Sequence, residues 1–141
     1  MNLFLKHALR KAAKVLGDEE HYGGRSEEAA LVIISSALGG ERLRVGAEQF
    51  LDVKDRDMQI GALKLLRCLG YDARKSAEKV LGMLEGNQFV REAVKVEAIE
   101  TLGIIGNKDT GNRLAAFQKK AKRPEISDAV TEATKALKLQ P

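Results

Sequence analysis

The chain is predicted to be all-α, and three features of its sequence carry that expectation. Proline occurs only at Pro124 and Pro141, so long stretches are free of the residue that cannot continue a helix. Runs of β-branched and aromatic residues bounded by turns, the mark of strands, are missing. Apolar residues also recur at helical spacing with a longer period on top. Ala98-Ile99, Leu102, Ile104-Ile105 and Gly106 repeat Ala62-Leu63, Leu66, Cys68-Leu69 and Gly70 after 36 residues, as in a helical array.

A length of 141 residues is expected to make one domain, 1–141, large enough to bury a core without staples. Residues 2–16 read as an amphipathic helix, with Leu5, Leu9, Ala12 and Leu16 on one face and Lys6, Arg10, Lys11 and Lys14 on the other. A capping helix over residues 1–17 is the preferred reading. A membrane-surface helix and a targeting presequence are the alternatives, the latter opposed by the acids at Asp18-Glu19-Glu20. The loop at 18–25 contains Gly23-Gly24-Arg25, which without a preceding strand reads as a linker rather than a phosphate loop.

Three helix pairs are expected next, over 26–53, 57–85 and 88–122, then a terminal helix over 125–139. Ser26 is placed to cap helix 26–38, whose Ala29 to Leu38 run is apolar almost all round. Helix 41–53 turns Leu43, Ala47, Phe50 and Leu51 inward. Helix 57–69 turns in Met58, Ile60, Leu63, Leu66 and Leu69, and helix 72–84 turns in Ala73, Val80, Leu81 and Leu84. Helix 88–105 carries the repeat already described. Helix 108–121 is expected to bury Leu114, Ala115 and Phe117, and the terminal helix Ile126, Val130, Ala133 and Leu137. Gly39, Gly70 and Gly106 each fall after the first helix of a pair, where a left-handed residue would let the chain reverse. Ala30, Ala62, Ala98 and Ala133 recur where helices would approach closely.

The net charge is +4, but its distribution says more. Residues 1–17 hold four basic residues and no acid. Residues 108–123 hold six basic residues against Asp109 alone, and the body between is slightly acidic. A single cysteine, Cys68, excludes an intrachain disulfide and a cysteine-based zinc site, and it is expected in the core. No apolar run approaches the roughly 18 residues of a membrane span, so a cytoplasmic protein is expected.

The segment VREAVKVEAIETLGIIGNKDTGNRLAAFQ, followed by PEISDAVTEATKAL, resembles HEAT and HEAT-like (bilin-lyase type) repeats. Val90-Arg91, Ala98-Ile99, Leu102-Gly103 and Ile105-Gly106 match the motif. Residues 57–85 depart from it at Arg67, where a glycine would stand. The resemblance implies a short right-handed α-solenoid of about three antiparallel helix pairs, with the second helix of each pair on a concave binding face. The exposed positions implied there are Arg42, Arg44, Glu48 and Gln49; Arg74, Lys75, Glu78 and Lys79; and Arg113, Lys119, Lys120, Lys122 and Arg123.

No catalytic constellation can be assembled. His7 lies among lysines, and His21 has no serine or cysteine nucleophile in register. The HEAT-like DNA glycosylases and the bilin lyases are the enzymatic relatives implied. The first is opposed by the lack of Trp and by four Phe read mostly as core residues; nothing marks a chromophore pocket for the second. The expected role is therefore a non-enzymatic interaction module or scaffold, with no cofactor and no metal. It would hold a protein partner, an acidic one, through Arg74, Lys75, Arg113, Lys119, Lys120, Lys122 and Arg123. The alternative is sequence-independent nucleic-acid binding by the same cations, opposed by few exposed aromatics. Membrane contact is the least supported partner. Self-association would follow if helix 125–139 left its apolar face uncovered.

Overall fold

A computed structural model of the chain describes Arg10, residues 39–86 and residues 89–139. The described residues are helical with no strand, which makes the fold all-α. The helices expected over 2–16 and 26–38, with His7 and His21, lie outside them; Arg10 alone is described, helical and exposed. The chain divides into two compact units, Met1–Ala73 and Arg74–Pro141.

In the first unit, helix α1 (Gly40–Leu51) packs on α2 (Arg56–Leu69). Gly39 precedes α1 with φ +79°, a conformation that a side chain would strain, and its carbonyl accepts the first helical bond from Leu43 N at 3.1 Å. Leu43, Ala47, Phe50 and Leu51 are buried, as their spacing predicts. Asp55 caps α2 by accepting from Met58 N at 3.1 Å. Gln59 Nε2 donates to the Leu51 carbonyl at 3.1 Å and ties the two helices across their connection.

Two expectations are corrected in α2 and the segment that follows it. Cys68 is exposed, not in the core, because it lies one turn after half-buried Lys64 on the outer face of α2. After Gly70, at φ +58°, the chain winds as a 3-10 helix over Gly70–Ser76 instead of starting an α-helix at 72. Side chains three apart eclipse in that tighter winding, and Ala73 and Ser76, three apart, are both fully buried.

The second unit contains α3 (Ala77–Glu85), α4 (Glu92–Ile105), α5 (Lys108–Gln118) and α6 (Pro124–Lys138). Helix α4 spans the same 14 residues as α2, displaced by 36. Burial follows the same period: Met58, Ala62, Leu63 and Leu66 match Val94, Ala98, Ile99 and Leu102, all buried. Ile104, the counterpart of Cys68, is likewise exposed. Burial at these positions thus keeps the 36-residue spacing, while the expected burial of Cys68 does not hold.

Helix α4 begins four residues later than the sequence suggests. Arg91 is extended, with φ −63° and ψ 148°. Val90 is buried, but Phe89 is 89% exposed and not a core residue. Gly106 is extended too (φ −82°), so it is not the left-handed stop that was expected. Its need for glycine is steric: a Cβ there would lie 2.6 Å from the Leu102 carbonyl oxygen and 2.8 Å from Thr110 Cγ2. Asn107 then opens α5 with a capping box. Its side chain accepts from Thr110 N at 3.0 Å while Thr110 Oγ1 accepts from Asn107 N at 3.0 Å. Helix α5 buries Thr110 and Leu114; Ala115 is exposed and Phe117 half-buried, against expectation.

Fixed points give the directions of these helices. Arg123, just before α6, meets Glu92, the first residue of α4, at 3.2 Å. Eleven residues into α4, a Cβ on Gly103 would lie 3.1 Å from Ala133 Cα, ten residues past Arg123. Helices α4 and α6 therefore run parallel, side by side, with the smallest residues at the closest approach. Helix α5 runs antiparallel to α6, since Gly111 near its start faces Leu137 and Gln118 at its end bonds to Ser127. Helix α3 packs on α4 and α5. The inner face of α6 (Ile126, Val130, Ala133, Leu137) is buried in this unit. Its outer positions, Glu125, Asp128, Thr131, Glu132, Lys135 and Lys138, are polar, with Ala136 among them.

Candidate docking site at the α5–α6 loop

The cations named from the sequence fall into three environments. Arg44 is buried rather than exposed. It pairs within α1 with Glu41, through Nη2 at 2.6 Å and Nε at 3.1 Å, and with Glu48 one turn on. Those bonds, Glu41 first, hold its guanidinium above its ordinary pKa. Arg113 is half-buried and forks onto α3, reaching Glu85 with Nε at 3.1 Å and meeting Glu78 with Nη1. The hydrogen bonds to Glu85, then Glu78, raise its pKa. Both arginines have their charge met by carboxylates of their own chain.

Arg74 and Lys75 are exposed in the 3-10 turn, well before the third group in sequence. That group, Lys119, Lys120, Lys122 and Arg123, forms the loop between α5 and α6, with all four side chains exposed. The loop has two anchors. Gln118 Nε2 donates to the Ser127 carbonyl at 2.9 Å, to Ser127 Oγ at 3.2 Å and to Thr131 Oγ1 at 2.9 Å. Arg123 Nε lies 3.2 Å from Glu92 Oε1. Between them, Lys120 N and Ala121 N bond back to Phe117 and Gln118, finishing α5 in tight turns. Among the described residues, Lys119, Lys120 and Lys122 make no ion pair with an acid. Their position just past the C-terminus of α5 also suits the helix dipole.

The Arg123–Glu92 contact brings a second segment to the loop. Phe89 stands three residues before Glu92, so its Cα is within about 11 Å of that residue's Cα. Arg91, beside it, is exposed as well. The sequence placed Phe89 in a helix and so missed it. A usable signal was present: Val90, Val94 and Ala98 form the buried stripe, and Phe89 is one position off it. Tyr71, in the first unit, is a second exposed aromatic, at 74%.

Among the described residues no cluster of His, Cys, Asp and Glu could hold a metal ion, and no helix is long and apolar enough to cross a membrane. Comparison with known proteins gave no match: no family model, no curated protein and no solved structure.

Proposed function

We propose that the chain is a non-enzymatic docking module, a short right-handed α-solenoid of HEAT-like pairs that takes up an acidic partner at the α5–α6 loop. The observation that carries this reading is the loop itself: Lys119, Lys120, Lys122 and Arg123, all exposed, set between two anchors. Four cations in five positions attract an anionic surface at long range. Anchoring lowers the ordering cost of using them in a complex. The parallel pair α4 and α6, with α5 antiparallel beside them, supports the repeat architecture.

The docking position lies at the edge where the second helix of one pair meets the first of the next. It includes neither Arg44 nor Arg113. The test is the association rate with fluorescent polyglutamate and with a fluorescent oligonucleotide, by stopped flow. In the variant Lys119→Glu/Lys120→Glu, association with either probe is expected to slow at least tenfold at low salt, and its salt dependence to flatten. An unchanged rate with both probes removes the loop from the docking role.

A further inference from the structure

We infer that the anionic partner of the α5–α6 loop is a single-stranded nucleic acid, with a base stacked on Phe89 and its phosphates on the loop lysines. The inference rests on the docking role of the loop and adds the chemistry of the occupant. Two observations meet here. One is the cationic loop. The other is an aromatic ring 89% exposed, brought to the same end of the unit by the Arg123–Glu92 contact.

The two readings of an acidic occupant make different demands on Phe89. A peptide side chain gains its binding energy by filling a desolvated pocket. A ring so exposed supplies no such pocket in this chain by itself. A nucleobase asks only for a flat ring with an open face, and stacking tolerates any base. Duplex nucleic acid would use the lysines and leave the ring idle, because its bases are already stacked. An exposed ring three residues before Glu92, which meets Arg123 of the loop, with Arg91 exposed two residues on, supplies the stacking platform and cationic track that single strands require. Neighbouring acids shape the track: Glu92 is engaged by Arg123, while Glu125 and Asp128, on the first turns of α6, disfavour a strand path running down that helix.

The test is fluorescence anisotropy on the full chain with labelled oligouridine, labelled oligoadenosine and a duplex of matched length. Wild type is expected to prefer the single strands. Phe89→Ala is expected to weaken single-strand binding about five- to a hundredfold and leave duplex binding and the salt dependence unchanged. Phe89→Tyr should restore it. Because the side chain is exposed, the melting temperature should not move, which separates loss of stacking from loss of fold. Equal binding by wild type and Phe89→Ala overturns the stacking inference, and the loop's docking role stands if Lys119→Glu/Lys120→Glu still abolishes binding. Binding of polyglutamate with no binding of any nucleic acid at low salt also overturns it, and returns the loop to an acidic protein.

Discussion

Glycines separate the residues whose smallness is structural from those whose smallness is incidental. At Gly106 an added methyl would press on the Leu102 carbonyl of α4 and on Thr110 of α5 at under 3 Å, so relief requires moving one helix end against the other. Gly106→Ala is therefore expected to destabilise by about 1–3 kcal/mol. Gly82, in the middle of α3, has nothing within 4 Å of such a methyl. Gly82→Ala should stabilise by about 0.5–1 kcal/mol through helix propensity alone. Urea denaturation of the two variants checks the opposite signs, and equal effects would mean that the turn at 106 is wrongly described. Leu66 and Leu102 supply the residue-level test of the repeat. Both are fully buried, 36 positions apart, and each Leu→Ala change should cost about 2–5 kcal/mol. A negligible loss at both would break the equivalence.

At the scale of elements, what the sequence made legible was the hydrophobic stripe, and what it hid was charge pairing and local winding. The stripes of α1, α2 and α6 could be read because apolar residues at three- and four-residue spacing have one way to be buried together. Cys68 and Ile104 could not, since their apolar chemistry does not show that their shared position faces outward. Arg113 looked like a surface cation because nothing local in a sequence shows where Glu78 and Glu85 will stand relative to it. The partners of Arg44, Glu41 and Glu48, stand at legible helical spacing, and only its burial was hidden. The capping box at Asn107 also escaped notice, since Thr110 stands where the familiar pattern has Glu or Gln. Asn107→Ala should lower stability by about 0.5–2 kcal/mol, measurable by thermal melting. Arg113 joins α3 to α5 through two carboxylates, so Arg113→Ala should destabilise the second unit, and less so in high salt. A double-mutant cycle with Glu85→Ala reads the coupling directly; no coupling would mean that the fork does not hold in solution. The raised pKa of Arg113 implies stability that is complete below the ordinary arginine value and is lost only above it. No pH dependence from this arginine is expected in the range where the protein can be handled.

For the molecule as a whole, the all-α class was legible from what the chain lacks and from its 36-residue period, and the structure keeps both. The cationic loop was also legible, as a run of like charge. Its anchoring was not, because Gln118 and Glu92 become its supports only when α4, α5 and α6 are side by side. Phe89, three residues before the Glu92 that meets Arg123, is brought to the same end of the unit by that packing. Recognition by this protein is thus proposed to rest on one cationic loop held by the repeat, rather than on a basic face spread over several helices. The most direct measurement is the salt dependence of wild-type binding to a labelled single-stranded oligonucleotide, from about 50 to 200 mM. Three to four cations on the strand predict a slope of log affinity against log salt of about −2 to −3, and so a fifteen- to sixtyfold loss over that range, roughly. No binding at the lowest salt to the oligonucleotide, or to polyglutamate, would contradict the assignment of the α5–α6 loop as a docking site.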